Sequence, residues 1–184
     1  MDRPWSWLRQ VHGDRVVVVR QAGGAAGEAA DGAVTLVADA ALVVLTADCA
    51  PVALSSSEGV IGAAHAGWRG LQAGIVERTV EAMRSLGATT IEAALGPCVH
   101  PECYEFGEFD LSAMAARFGD AVRGTTRDGH PALDVPGAVA VALDEVGVGL
   151  SHVEPTCTAC AADRAFSYRA RRETARQATV VWLP

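Results

Sequence analysis

The sequence predicts an α/β (α+β) fold: a mixed β-sheet flanked by helices, in a layered α/β sandwich. Three observations carry this. Short apolar strands recur at Val16–Val19, Ala41–Thr46, Pro51–Leu54, Val60–His65, Ile91–Leu95 and Thr179–Leu183. Two helical patterns interrupt them, over about residues 71–86 and at Ala138–Val146. Some strands are joined by a tight turn and others through helices, which requires a mixed sheet.

Taken in order, Trp7–His12 reads as a short strand ending at the turn His12-Gly13-Asp14, and residues 21–33 as a loose, glycine-rich connection. Ala41–Thr46 is apolar on both faces, which predicts a central strand, and it stops at Ala47-Asp48-Cys49. Pro51–Leu54 then runs through Ser55–Gly59, a turn composition, into Val60–His65. A turn centred on Ser57 places Cys49 opposite His65, with Cβ atoms roughly 4.5–5.5 Å apart. Pro51 makes the first rungs irregular, so the expectation is proximity. The first helix carries Ile75, Val76, Thr79, Val80, Met83 and Leu86 on one stripe, and Gly87 stops it. Pro101–Gly107 is a turn-rich connection, Asp110–Phe118 a short helix, and residues 119–132 a polar, mobile loop. Asp134 is placed to cap the second helix.

The chain has 184 residues, enough for one domain with a full core, and half of it is apolar. No apolar run approaches a membrane span, and the start has no signal-peptide pattern. A net charge of −7 argues against a nucleic-acid partner but says little about small anions. Five cysteines, an odd number, read as reduced thiols or metal ligands in a cytoplasmic protein.

The organising stretch is Gly59–Met83, where a strand reaches His65, turns through Ala66-Gly67-Trp68-Arg69-Gly70 and enters a helix. Free N–H groups at a helix start attract anions, and Arg69 adds a two-pronged donor. A histidine beside such a cradle suggests chemistry on a small polar substrate; the plainer alternative is a capped surface turn.

Five motifs now combine: Gln10-Val11-His12-Gly13, Thr46-Ala-Asp-Cys49, His65-Ala-Gly-Trp-Arg-Gly70, Gly96-Pro-Cys98 and Phe166-Ser-Tyr-Arg169. Together they resemble the YfiH family, also called the DUF152, laccase-domain or multicopper polyphenol oxidase family. The resemblance runs from about Trp7 to Trp182. It implies that His12, Cys49 and His65 hold zinc (Zn2+). It also implies a purine nucleoside phosphorylase acting on adenosine, inosine, guanosine and methylthioadenosine, with adenosine deaminase activity. A bacterial branch is described as a peptidoglycan editing factor that removes serine from muramyl precursors. The family pattern extends further upstream, so residues 1–184 are expected to form a single YfiH-like domain lacking the family's N-terminal segment. Ala170 stands where the family often has a second arginine.

Cysteine and histidine ligands suit zinc, and three of them leave a fourth position open, the mark of a catalytic site. Arg69, with the amides at Gly67 and Gly70, is the candidate phosphate clamp, and Arg169 a second one. Asp48 is a candidate base or orienter, or only a cap for its turn. A metal-free hydrolase with Cys49 as nucleophile and His65 as base uses the same residues. A copper oxidase needs more histidines than the chain supplies, five without any His-x-His pair. Cys98 and Cys103 with Cys157 and Cys160 are loosely spaced for a four-thiolate zinc. The preferred reading is a buried Cys98 with Cys157 packed near it. His100, His130 and His152 read as ordinary surface histidines.

Overall fold

The computed structural model describes residues 4–183. The first half of the chain supplies β1 (Trp5–Trp7), β2 (Val16–Val19), β3 (Gly32–Thr35), β4 (Ala41–Thr46), β5 (Ala50–Ser56) and β6 (Ile61–Ala66). Helices α1 (Trp68–Ala73) and α2 (Ile75–Ser85) lead to β7 (Ile91–Leu95), α3 (Glu108–Phe118) and a small hairpin, β8 (Arg123–Thr125) with β9 (Pro131–Leu133). The chain closes with α4 (Val135–Glu145), β10 (Gly149–Val153), α5 (Tyr168–Arg171) and β11 (Gln177–Trp182).

Six strands form the main sheet in the order β10-β7-β5-β6-β3-β2, and β1-β4-β11 form a second. Both are mixed, as the connections require: β2 runs parallel to β3 and β1 to β4, while β5 pairs antiparallel with both β6 and β7. Val34, Val52, Leu54 and Ala64 pack with Val76, Val80, Met83 and Val139 on the helical side. Ala33, Ile61 and Ala63 pack with Leu42 and Val44 of the smaller sheet. The layers are therefore helices, large sheet, small sheet. β6 is buried at all six positions because it is covered on both faces and flanked by β3 and β5. β4 is central, as its two-sided apolar run predicts, but in the smaller sheet between β1 and β11.

Five expectations about the fold need correction. The strand expected over Trp7–His12 is β1 at Trp5–Trp7, and residues 8–12 lie outside any strand. The β5–β6 hairpin turns through Ser57-Glu58-Gly59, with Ser56 N donating to Val60 O at 2.9 Å. Gly59 takes a left-handed conformation (φ 81°), which favours a three-residue loop and moves the turn centre to Glu58. Pro51, not Cys49, therefore stands opposite His65. The faces survive the shift: Cys49 and Pro51 are two apart, so Cys49 still points to the side of the sheet that His65 occupies.

The helix expected over about residues 71–86 is two helices. They break at Gly74 (φ 94°), which ends α1 and begins α2. Its apolar stripe holds, with Ile75, Val76, Thr79, Val80 and Met83 buried. Residues 119–132 are not a mobile loop but a 3-10 turn at Asp120–Val122 followed by the β8–β9 hairpin. Residues 21–33 include the start of β3. That strand is built of small residues because α2 crosses it closely: a Cβ at Gly32 would lie 2.8 Å from Thr79 Oγ1.

Asp134 does cap α4, its carboxylate accepting from Gly137 N at 2.9 Å. Asp134→Ala should cost about 1 kcal/mol. The measurement is urea unfolding, with a lower midpoint and an unchanged slope.

Candidate metal centre and arginine cleft

His65 is the penultimate residue of β6, one position beyond the first rung that β3 makes with it. Gly32 is opposite Ala64, so the preceding residue, Asp31, faces His65. The backbone continues this pairing, with His65 N donating to Asp31 O at 2.7 Å. Asp31 is fully buried, and its carboxylate contacts His65 Nδ1 at 2.8 Å. The same carboxylate accepts from the backbone N–H groups of Val11 (3.1 Å), His12 (2.9 Å) and Gly13 (2.8 Å). Burial alone would raise its pKa, but the bonds from His65 and these three amides hold it below the usual carboxylate value. Gln10 fixes the other side of this segment. Its amide both donates to Leu45 O (2.8 Å) and accepts from Leu45 N (2.9 Å) at the end of β4.

One carboxylate thus positions two imidazoles. His12 takes a left-handed conformation (φ 60°), and its ring meets that of His65 edge-on at 4.8 Å between centroids. Cys49 Sγ lies 3.8 Å from His12 Nε2. The ligand atoms of His12, Cys49 and His65 all lie within 4.8 Å of one another, so the hairpin shift does not separate the thiol from the histidines. Gly67 makes room for them: a Cβ there would approach His12 Cδ2 to 2.9 Å and Cys49 Sγ to 3.1 Å. Gly70 is buried and packs over Gly13 O.

Charge follows the geometry. Burial opposes ionisation of Cys49, but His12 and His65 outweigh it and bring the thiol from 9.0 down to about 6. Burial likewise opposes protonation of His65, yet Asp31 and Cys49 outweigh it and raise the imidazole from 6.5 to about 9. With Nδ1 engaged by Asp31, the Nε2 of His65 is left to bind an ion. Two imidazole nitrogens and a readily formed thiolate, with a carboxylate behind one imidazole, fit a divalent metal ion.

Cys49 also borders two hollows. One, of about 290 Å³, is lined by His12, His65, Gln10, Thr46 and Arg176. The other, of about 300 Å³, contains Arg69, Tyr104, Tyr168, Arg169 and Arg172. Its cations are stacked on aromatic rings: Arg69 on Trp68 (4.4 Å), Arg169 on Tyr104 (4.6 Å) and Arg172 on Tyr168 (5.1 Å). Arg69 and Arg169, far apart in sequence, therefore meet in one cleft beside Cys49. Asp48 has a left-handed backbone (φ 97°) and spends its carboxylate on Thr158 Oγ1 (2.8 Å) and Arg169 N (2.6 Å). It ties α5 to the turn that carries Cys49.

Sequence reasoning missed Asp31, Thr158, Tyr104, Tyr168 and Arg172. Asp31 had a signal, as the residue facing His65 once β3 pairs with β6. The others come together only through the tertiary arrangement. His100 is not an ordinary surface histidine but half-buried, 3.9 Å from Glu102.

Fold and site together define a mixed α/β protein with a candidate two-histidine, one-cysteine metal centre. The chain belongs to the multi-copper polyphenol oxidoreductase laccase family, whose pattern matches residues 1–184. It is 48% identical over 185 residues to a Streptomyces griseus protein named purine nucleoside phosphorylase ORF3, covering 96% of this chain and 73% of that protein. A Mycobacterium tuberculosis protein named purine nucleoside phosphorylase is 41% identical, with 96% and 71% covered. A DUF152 protein from Neisseria meningitidis superposes with a TM-score of 0.85 at 30% identity, over 98% of this chain and 75% of that one. The YfiH protein of Bacillus licheniformis gives 0.88 at 27%, over 98% and 74%. Among the described residues no helix is long and apolar enough to cross a membrane.

In metal-free protein the two shifts act in opposite directions. The contribution of His65 to stability is complete below pH 6.5 and is lost as pH rises through about 9. That of Cys49 is present above 9.0 and is lost as pH falls through about 6. The thiolate–imidazolium pair therefore spans pH 6 to 9. Site-resolved alkylation of chelator-treated protein should show Cys49 reacting with a midpoint near pH 6, moving upward in His65→Ala. Asp31→Asn should weaken metal binding by about 10–100-fold, measured by competition with a chromogenic chelator.

Proposed function

We propose that this chain is a zinc-dependent purine nucleoside phosphorylase that also deaminates adenosine, with zinc held by His12, Cys49 and His65. The observation that carries the reading is the placement of this donor set beside a cleft holding Arg69 and Arg169. Zinc is the borderline-soft ion that mixed imidazole and thiolate sites prefer, and three protein ligands leave it one open position. When bound, it would supply Lewis acidity at the mouth of the cleft. A multicopper oxidase fits less well. Two histidines converge here, while His130 lies beside the β8–β9 turn and His152 in β10.

Phosphorolysis requires a phosphate oxygen to bond to the anomeric carbon while the glycosidic C–N bond breaks and the purine leaves with the electron pair. The chain must therefore hold an anion in line with that carbon. Arg69 and Arg169 do this in our reading, with Arg172 beside them. The bare backbone at Gly67 leaves the start of α1 open toward Cys49, and Gly70 contributes through packing. Asp48 acts as a positioning residue, since its bond to Arg169 N sets the start of α5. The exposed face of Tyr168 offers a surface for a purine ring.

Two other readings have their own support. The arginines suit the diphosphate of a UDP-muramyl precursor equally well, which keeps a serine-releasing peptidoglycan editing hydrolase in view. The lowered thiol of Cys49 beside His65 also suits a metal-free hydrolase.

The test combines metal analysis with inosine or adenosine in phosphate buffer. Zinc in the purified protein and phosphate-dependent release of base and ribose 1-phosphate are expected, both lost in His65→Ala. Arg169→Ala should keep the metal and raise the KM for phosphate about tenfold or more, a charge-assisted hydrogen bond being worth about 1.5–3 kcal/mol. Metal-loaded protein that leaves every purine nucleoside intact overturns the reading. Serine release from a UDP-muramyl-serine compound would then point to cell-wall editing. Chelator-resistant hydrolysis blocked by a thiol reagent would point to Cys49 as nucleophile.

A further inference from the structure

We propose a second metal site in this chain, in which the thiolates of Cys103, Cys157 and Cys160 and the carboxylate of Glu102 bind one zinc-class divalent cation structurally. The four donor atoms lie within 4.8 Å of one another. Cys103 Sγ is 3.2 Å from Cys160 Sγ, and Cys160 Sγ is 3.8 Å from Glu102 Oε1. Tetrahedral zinc with bonds of about 2.3 Å to sulfur and 2.0–2.2 Å to oxygen holds its donors roughly 3.5–3.8 Å apart. The cluster stands within about an ångström of that arrangement throughout. A disulfide would instead need two sulfurs at about 2.05 Å.

The scaffold brings the donors together from two distant segments. Cys103 closes a 3-10 turn, Pro101–Cys103, with its N–H on His100 O at 3.0 Å. Cys157 and Cys160 belong to one turn, closed by Cys160 N on Cys157 O at 3.1 Å. The segments are joined by backbone pairing, an isolated parallel β-bridge at Cys98 and Cys157, with Thr158 N donating to Cys98 O at 3.0 Å. Cys98 itself is fully buried and stays outside the cluster; Glu102 takes the place that a four-thiolate reading gives it.

The surroundings suit anionic sulfur. His100 N donates to Cys157 Sγ (3.5 Å) and Arg127 Nη2 to Cys160 Sγ (3.2 Å), the outer hydrogen bonds that metal-bound thiolates use. Arg127 and Arg164 on the rim offset part of the negative charge. The ion binds these sulfurs as thiolates, so binding releases protons and strengthens with pH. A hollow of about 480 Å³ gives an ion access to Cys157, Cys160 and Glu102.

Four protein donors make a closed site, the structural type. The bound ion would fasten the segment that leads to Tyr104 onto the one carrying Thr158, whose hydroxyl holds Asp48. It would brace the arginine cleft from behind without touching it.

The experiment is metal stoichiometry on the full chain, with cobalt as a spectroscopic substitute. Two zinc ions per chain are expected in the unmodified protein, one in Cys49→Ala, one in Cys160→Ala and none in the double variant. Sulfur-to-cobalt charge-transfer absorption should fall by about a quarter in Cys49→Ala and by about three quarters in Cys160→Ala, following the number of thiolates at each centre. If Cys160→Ala does not fold, the unmodified protein decides by its own spectrum, since four thiolates and one differ about fourfold in intensity. One ion per chain with single-thiolate absorption overturns the proposal. So does a Cys103–Cys160 disulfide found by peptide mapping under non-reducing conditions.

Discussion

The carboxylate of Asp31 is the constraint on which the candidate centre rests. Three successive amides, from Val11 to Gly13, close on it, and so does the imidazole of His65. A buried carboxylate is costly unless each lone pair is used, and here the bonds that satisfy it also position two metal-ligand candidates. The arrangement links two layers. Through Gln10 the amide-bearing segment is pinned to β4 of the small sheet, while His65 belongs to the large one. The site therefore sits where the two sheets meet, and its geometry is a property of how they stack.

Backbone strain reaches the same place. His12 and Asp48, two of the four non-glycine residues with positive φ among the described residues, both adopt left-handed conformations. Such residues persist when their surroundings hold them, and each is held: His12 by its amide on Asp31, Asp48 by Thr158, by Arg169 N, and by Val99 N on its own carbonyl. The result is a cysteine presented at the start of β5 rather than within it. There it can face the histidines on one side and the arginine cleft on the other.

Much of the fold was legible because burial in β-proteins has a period. Ala41–Thr46 reads as central from its two apolar faces, and Ile91–Leu95 has the expected bounds. The convergence of Cys49 and His65 was legible even though their register was not, since pairing by twos keeps side chains on one face. Less could be read where packing chose small residues. The segment around β3 is glycine and alanine because α2 lies close against it, and that composition resembles a loop. Asp31 was hidden by its neighbours for the same reason. Tyr104, Tyr168 and Arg172 were hidden differently, because nothing along the chain says which loops share a cleft.

The β5–β6 hairpin has one further consequence. Its tip, around Glu58, lies at the opposite end of the ladder from Cys49 and His65, and the rungs from Ser55 to Pro51 separate the two ends. Residues added at the tip leave every rung as it is and put at stake only the hydrogen bond that Glu58 accepts from Thr89, so a short reporter peptide or fluorophore handle can be grafted there without disturbing the ligands. A single residue added between Cys49 and Pro51 would send the sulfur to the helical face instead. In lineages of this protein, insertions should therefore accumulate at the hairpin's crown and be purged from its foot.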